Sequence, residues 1–315
     1  MRDQLILHHY DGSPYSEKIR LLFGYKKLAW RSVAMPPILP KPDLMALTGG
    51  YRRAPVLQIG ADIYCDSALI ADEIEHRFAE PAVATGARSA NADLLAHLVD
   101  VDLFWRAVRY VMGVRAEQIP QRLLDDRAAM HPHLHFDRGT LAADLPQVVA
   151  QLRPLLSTLD AALADADFIG GAMPALGDFA VYQPLWFLQT VDGINALAAD
   201  CRHLHAWLAR MAAFGHGSAT PISAAETIAV SLQSTPIAIA ADGSDPALPI
   251  GAQVAVTPEN YPAEAVRGKL VHASRRRIVL ARESDATGLV HVHFPRIGYS
   301  IAIASGSPAA ASAKP

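Results

Sequence analysis

Two segments of the chain place a hydroxyl side chain where a helix is predicted to begin. Ser13 precedes Pro14 after an apolar run and an Asp-Gly turn signal, and Ser67 follows Asp66 after a second apolar run. Serine and aspartate are favoured N-cap residues, and proline suits the first helical position. The N–H groups at a helix N-terminus attract anions, so these hydroxyls could help to bind a thiolate or a carboxylate. The simpler interpretation is that Ser13 and Asp66 only cap their helices.

The first eighty residues alternate between strand-like and helix-like patterns, with turn signals between them. Their order is strand, helix, strand, then a hairpin and a second helix. The predicted elements are a strand at 5–7, a helix from Ser13, a strand at 29–34, a loop at 35–42, a hairpin at 55–65 and a helix from Asp66 to about Phe78.

The rest of the chain changes character twice. A linker rich in small residues at 81–89 leads into a helical region that extends to about residue 215. Alternating apolar residues and turn clusters then predict a small antiparallel β module at 222–304, with strands beginning near Ile237, and a disordered tail at 305–315. One apolar stripe with spacings of four and three is predicted to face the core of the helical region. Its members are Leu94, Leu98, Val101, Trp105, Val108 and Met112.

Composition excludes several classes of protein. The chain has 315 residues, of which 51% are hydrophobic and 19% charged, and this balance is typical of a globular protein of two or three domains. A formal net charge of -3 argues against a nucleic-acid-binding protein. Its two cysteines exclude a disulfide framework and suit a reducing compartment. We identify neither a signal peptide nor a membrane span, and therefore expect a cytoplasmic protein with no membrane partner.

Four stretches, in order and spacing, resemble the glutathione transferase family. They are residues 13–20 (SPYSEKIR), 52–57 (RRAPVL), 65–70 (CDSALI) and 167–180 (DFIGGAMPALGDFA). The resemblance covers about residues 4–215. It implies a thioredoxin-like α/β domain at 1–80 and an all-helical domain at 90–215, with the β module at 222–304 as an addition. The last stretch departs from the family pattern, because Ala175 stands where serine or threonine usually caps the helix.

The resemblance gives Ser13 the catalytic role. Tau- and zeta-type members use a serine here to stabilise the thiolate of glutathione, whose free thiol has a pKa of ~8.5. Other members have a cysteine at this position, so exchange through a mixed disulfide is not expected here. The alternative is that Ser13 is only a helix cap.

The other implied site residues follow the same motifs. The resemblance makes the bond between Ala54 and Pro55 cis, so that the backbone of Ala54 pairs with the cysteinyl part of glutathione. Arg53 would attract the glycyl carboxylate. Asp66 would take the ammonium and Ser67 the carboxylate of the γ-glutamyl end. Two tyrosines, Tyr15 and Tyr110, are predicted to line the pocket for the second substrate.

The predicted function is conjugation, or another use, of glutathione thiolate on a small hydrophobic electrophile, in a homodimeric detoxification enzyme. Glutathione is the co-substrate, and no metal is required. Another enzymatic use could be isomerisation, peroxide reduction or ether cleavage. The alternative from a different class is a binding or regulatory protein that kept the fold and lost turnover.

Two groups of histidines deserve comparison with metal sites. His131, His133 and His135 surround a proline and lack the i, i+4 spacing of helical metal ligands. His291 and His293 lie on one face of a predicted strand, but the sequence shows no third ligand. We therefore predict no metal at either place, and interpret the strand histidines as a solvated or hydrogen-bonded face.

Overall fold

The computed structural model describes residues 4–239, 248–259 and 265–303. The predicted tail at 305–315 lies outside the described residues. The turn cluster predicted at 241–245, and most of the one at 258–262, lie outside them as well.

The N-terminal region has the predicted strand and helix order, with one additional helix. A central strand pairs in parallel with the second strand and antiparallel with the third, which continues into a hairpin. The elements are β1 (Leu5–His9), α1 (Pro14–Tyr25), β2 (Ala29–Ala34), α2 (Pro42–Thr48), β3 (Val56–Ile59), β4 (Asp62–Cys65) and α3 (Ser67–Arg77). This is a thioredoxin-like domain, and both helices that carry candidate site residues begin directly after a strand or turn.

The second region is helical. The elements are α4 (Ala87–Leu98), a π-helical turn (Val99–Leu103), α5 (Phe104–Val114), α6 (Gln121–Met130), α7 (Arg138–Ala143), α8 (Leu145–Ala162), α9 (Leu176–Gln189), α10 (Gly193–Ala198) and α11 (Arg202–Ala212). Helices α4, α5 and α11 pack against α9, whose residues are mostly buried. Among the described residues, no helix has the length and apolar character needed to cross a membrane.

The π-helical turn interrupts the apolar stripe predicted across α4 and α5. Leu94, Leu98 and Val101 are 65%, 67% and 76% exposed, whereas Val108 and Met112 are buried. A π turn inserts extra residues per helical turn and so rotates the helix that follows it. The prediction of one continuous core-facing stripe was therefore wrong, because the α4 half points to the surface.

Asp178 explains how α9 begins without a capping hydroxyl at Ala175. Its buried carboxylate accepts the N–H groups of Ala175, Ile169 and Gly170 at 2.8–3.0 Å, and the indole N–H of Trp207 at 2.9 Å. Burial raises the pKa of Asp178 even though these donors lower it. The aspartate therefore organises the loop before the helix. Its carboxylate is fully hydrogen-bonded even though position 175 has no serine or threonine.

The C-terminal region extends the first sheet. Its elements are β5 (Ser218–Pro221), α12 (Ala224–Leu232), β6 (Gln253–Pro258), β7 (Val266–Ala273), β8 (Arg277–Ser284), β9 (Gly288–Pro295) and β10 (Tyr299–Ile303). Strands β6 to β10 form the predicted antiparallel module, and β9 pairs in parallel with β4. Since β5 pairs in parallel with β2, one sheet has ten strands, in the order β10-β6-β7-β8-β9-β4-β3-β1-β2-β5.

The module and the first domain also share a hydrophobic core. Val56, Ile63 and Cys65 pack in one buried cluster with module residues that include Leu280 and Phe294. The strand predicted near Ile237 was wrong. That segment lacks strand pairing, and the N–H of Ile237 donates instead to the Asp62 carboxylate at 2.9 Å.

Candidate functional site

Ser13 is the N-cap of α1. Its backbone is extended, with φ −87° and ψ 116°, and its Oγ accepts the N–H of Ser16 at 3.2 Å. The side chain is buried. A serine hydroxyl can accept one hydrogen bond and still donate its own proton, so the capping role leaves Ser13 one O–H to donate.

A buried polar network fixes the turn that precedes Ser13. Arg20 donates to the Glu17 carboxylate at 2.7 Å and to the carbonyl of Asp11 at 2.9 Å, and its other nitrogen lies 3.0 Å from Nδ1 of His9. Burial, assisted by Arg20, lowers the pKa of His9 to about 4. The imidazole is therefore neutral, with Nδ1 accepting from Arg20 and Nε2 donating to Ser32 at 2.8 Å.

Glu17 in this network keeps its charge. Burial pushes its pKa up, but hydrogen bonds from His216 and Arg20 outweigh burial and hold the pKa below its usual value. His216 lies in the loop before β5, and its Nε2 is 2.9 Å from Oε1 of Glu17. The start of α1 is therefore bonded to both the first strand and the C-terminal region.

The Ala54–Pro55 peptide is cis, as the resemblance predicts. Beside it, the ammonium of Lys41 donates to the Arg52 carbonyl at 2.9 Å and lies 5.9 Å from the ring of Tyr10, whose carbonyl accepts the N–H of Ser13. Burial, followed by the charges of Arg127 and Arg52, lowers the pKa of Lys41 to about 8.

Two arginines, Arg52 and Arg127, act on Lys41 and make this region positive. Arg52 also pairs with Asp126 of α6, and the next residue, Arg53, influences the ionisation of Tyr15 and Tyr51, as Asp66 does. We refer to Lys41, Arg52 and Arg53 as the basic end of the site. A carboxylate placed beside Lys41 would relieve its repulsion from Arg52 and Arg127.

Asp66 is the N-cap of α3 and has unusual geometry. Its φ is 80°, in a region that non-glycine residues rarely occupy, and its Oδ1 accepts the N–H of Ala68 at 2.9 Å. Its Oδ2 accepts the hydroxyl of Tyr299 at 3.1 Å, and that hydroxyl also lies 3.4 Å from the hydroxyl of Tyr51. Strained backbone of this kind persists only where neighbours hold it, and it is concentrated at functional sites.

Ser67 and Lys18 connect the starts of the two helices. The buried Lys18 ammonium donates to the Oγ of Ser67 at 3.4 Å. We refer to Asp66 and Ser67, with Lys18, as the Asp66 end of the site.

Asp100 reaches this region from the π-helical turn. Its carboxylate accepts the Gln183 amide at 2.9 Å and is hydrogen-bonded to Tyr15. Burial, followed by the nearby Asp100 charge, raises the pKa of Tyr15 well above its ordinary value. Burial also raises the pKa of Asp100. Tyr15 therefore stays a neutral phenol and joins the thioredoxin-like domain to the helical domain.

The two predicted pocket tyrosines are not brought together. The ring of Tyr15 packs against Phe104 at 4.6 Å, in a cluster with Val108 and Met112 of α5. Tyr110 lies in the main core, where its ring closely approaches Gly193 of α10. Residues 104, 108 and 112 share one face of the helix, and residue 110 is on another. Tyr110 is therefore corrected to a core residue.

Four residues of the site were missed in the sequence. Lys18, Asp100 and Tyr299 contact or influence predicted site residues, and Lys41 donates to the carbonyl of Arg52, next to Arg53. All of them except Asp100 are buried. Lys18 shares the first motif with Ser13, so its proximity to the helix start was a usable signal. The other three lie in segments whose positions depend on the tertiary fold.

Comparison with known proteins agrees with this geometry. The N-terminal domain of glutathione S-transferases matches residues 7–82, and the C-terminal domain matches residues 123–210. A solved GST-like protein from Pseudomonas syringae is 37% identical, with a TM-score of 0.80, over 96% of this chain and 100% of that chain. The chain belongs to the glutathione S-transferase family.

More distant members of the glutathione S-transferase family share the fold. A theta class enzyme from Xanthomonas axonopodis pv. citri, solved with glutathione bound, is 20% identical with a TM-score of 0.52, over 68% of this chain and 97% of that one. A tau class enzyme from mango is 17% identical with a TM-score of 0.50, over 68% of this chain and 90% of that one. A comparison with curated proteins finds no match. The Pseudomonas protein alone among these three covers nearly the whole chain.

Proposed function

We propose that the protein is a serine-type glutathione transferase that directs glutathione thiolate at a small hydrophobic electrophile. The observation that carries the proposal is the position of Ser13, at the positive end of α1, with one hydroxyl proton still to donate. A donor and a helix N-terminus both favour the thiolate over the thiol. A cytoplasmic role in detoxification would suit this chemistry and the two free cysteines.

The charges at the two ends of the site are complementary to those of glutathione. Lys41 and Arg53 at the basic end would bind the glycyl carboxylate. Asp66 would bind the γ-glutamyl ammonium, while the hydroxyl of Ser67 and the N-terminus of α3 would bind its carboxylate. The backbone of Ala54, before the cis Pro55, would pair with the cysteinyl part.

The second substrate would lie against Tyr15. The apolar cluster of Phe104, Val108 and Met112 packs around that ring. Apolar side chains with one polar group are typical of a pocket for a small hydrophobic ligand. The hydroxyl of Tyr15 is held by Asp100, so it would present a fixed polar group to the electrophile.

Ser13→Ala tests the catalytic role. We expect bound glutathione to lose its thiolate absorbance in ultraviolet difference spectra, and turnover of chlorodinitrobenzene to fall by ~10²–10³-fold, as when a preorganised donor is removed. Ser16→Ala is the matched control, because it removes a buried hydroxyl without a hydrogen-bond partner from the same helix. Equal activity in the two variants would contradict the proposal.

A non-catalytic glutathione-binding protein is the second candidate. Its support is the burial of Ser13, which is 2% exposed and already used as a helix cap. Calorimetry separates the possibilities. Glutathione binding without thiolate formation supports the second candidate, and no binding to the wild type excludes both.

We also propose a homodimer in which α4 contacts a second copy. The outward stripe of Leu94, Leu98 and Val101 is apolar and strongly exposed, which is typical of an interaction surface. Leu98→Glu should shift the mass measured by light scattering from dimer to monomer. Ile297→Glu is the control, since Ile297 is 70% exposed and lies outside the stripe.

A further inference from the structure

Three potential metal ligands meet where the module joins the first domain. Asp62 begins β4, and His291 and His293 lie on β9, with Asp62 in register with His291. Nε2 of His293 lies 2.9 Å from Oδ1 of Asp62, and Nδ1 of His291 lies 3.9 Å from the same oxygen. One ligand atom from each residue fits within 4.8 Å of the others, and among the described residues no other His, Cys, Asp or Glu group of three does so.

The cluster is buried. The side chains of Asp62 and His293 are 1% and 2% exposed, and that of His291 is 14% exposed. The prediction that the strand histidines share one face is confirmed, but that face is hydrogen-bonded and not solvated. The third ligand, which the sequence pattern did not reveal, comes from a strand about 230 residues earlier in the chain.

The hydrogen bonds around His291 leave one atom unmatched. Oδ2 of Asp62 accepts the N–H of Ile237, and a ring nitrogen of His291 donates to the backbone of the same residue. The buried Nδ1 of His291 has no hydrogen-bond partner. It lies 3.9 Å from Oδ1 of Asp62, an oxygen that is already hydrogen-bonded to His293.

A buried polar atom without a partner is unfavourable, and a cation between the ring nitrogen and the carboxylate would supply one. We propose that Asp62, His291 and His293 bind a divalent transition-metal ion, for which Zn²⁺ is the best-suited common ion. Two imidazole nitrogens and one carboxylate oxygen, with a water in the fourth position, match tetrahedral zinc.

Ile237 would act as the outer support of the site. Its N–H orients the carboxylate of Asp62, and its backbone orients the ring of His291. Ligating histidines usually donate their second N–H to a carbonyl or carboxylate in this way. His293 stacks on Tyr64 with ring centroids 4.3 Å apart, which fixes the plane of its ring.

The site has two unfavourable features. If Nε2 of His293 binds the ion, its proton must move to Nδ1, and that buried atom has no partner. The ion also replaces the existing hydrogen bond between His293 and Asp62. These two costs lead us to expect micromolar affinity, weaker than that of dedicated zinc sites.

Calorimetric titration of the full chain with zinc chloride tests the proposal. We expect one ion per chain, bound with micromolar affinity. His291→Gln should weaken binding on the order of 100-fold, since even removal of an outer-shell partner costs ~10–100-fold. His133→Gln is the control, because it makes the same change within the other histidine group and should leave the affinity intact.

Two further measurements test the same site. Cobalt(II) added to the wild type should give the visible absorbance of a tetrahedral nitrogen–oxygen site. Zinc should raise the melting temperature of the wild type and of His133→Gln but not of His291→Gln. Circular dichroism of His291→Gln establishes that this variant folds. The proposal is overturned if the wild type binds no zinc, or if His133→Gln abolishes binding and His291→Gln does not. Glutathione binding is measured separately, so failure of either proposal leaves the other testable.

Discussion

The two ends of the candidate glutathione site are held in place in different ways. At the basic end, Lys41 bonds the carbonyl of Arg52, eleven residues away. At the Asp66 end, the carboxylate is held by Tyr299, 233 residues away in the added module. The basic end is therefore built mainly within the thioredoxin-like domain, whereas the Asp66 end depends on a region that the shared part of the fold does not contain. A ligand that spans both ends would depend on both regions.

The largest expected effect is that of Asp66→Ala. The variant loses a helix cap worth ~1 kcal/mol and a hydrogen bond to a charged group worth ~1.5–3 kcal/mol. We expect the free energy of unfolding to fall by about 2.5–4 kcal/mol in urea titrations. Asp137→Ala is the control, because Asp137 caps α7 by accepting the N–H of Thr140 at 2.9 Å and is exposed. Equal losses in the two variants would mean that Tyr299 adds nothing.

Lys41 gives the basic end a pH dependence. Its pKa of about 8 in the folded protein means that the ammonium is charged below that pH and neutral above it. The affinity for S-methylglutathione, whose sulfur cannot ionise, should fall by up to about tenfold per pH unit above that pKa. Lys41→Met should bind weakly, without this component of the pH dependence. If the affinity of the wild type depended on pH in the same way as that of Lys41→Met, contact between Lys41 and the ligand would be ruled out.

Lys41 also makes the stability of the protein depend on pH, and here stability rises with pH where the affinity for the ligand falls. Between about 8 and the ordinary value of 10.5, the unfolded chain holds a proton on this lysine that the folded chain has lost. Stability therefore rises with pH in that window, because the unfolded state binds more protons. Lys41→Met should lose this rise in a series of urea titrations.

The next effect is that of Tyr299→Phe. Loss of its hydroxyl should lower the free energy of unfolding by ~1–2 kcal/mol and weaken glutathione binding several-fold, because Asp66 loses one of its two donors. Tyr25→Phe is the matched control, since the Tyr25 hydroxyl donates to the Ala82 carbonyl at 2.6 Å, away from both ends of the candidate site. A similar loss of glutathione affinity in the two variants would show that Tyr299 acts only through general stability.

The smallest expected effect is on stability in Ser13→Gly. Glycine is an acceptable N-cap, so the change from serine should cost only a few tenths of a kcal/mol. Ser223→Gly at the start of α12 should cost a similar amount, since Ser223 also accepts a capping N–H. A loss above ~1 kcal/mol in Ser13→Gly would mean that the hydroxyl has a further partner in the free protein. Its proton would then not be free for a thiolate.

The difference between contacts with nearby residues and contacts with distant ones also explains which features could be predicted from the sequence. Helix starts and strands are determined by nearby residues, so the caps at Ser13 and Asp66 and the strand at Ala29–Ala34 were predicted correctly. The partners Tyr299 and Asp100 depend on how distant segments pack, and no local pattern indicates them. Hydrophobic periodicity failed at Val99–Leu103, because a π-helical turn changes the phase of the helix without a recognisable residue type.

The placement of the added strands has a consequence for synthesis. Strand β4 forms an edge of the first four-stranded sheet until β9 is made, and the other edge, β2, waits for β5. At ~5–20 residues per second, a ribosome needs roughly ten to forty-five seconds to proceed from Cys65 to Gly288. Throughout that interval β4 presents an unpaired strand edge, which can pair with other chains. The late strand β9 therefore not only extends the sheet but also covers an edge that would otherwise be open to association.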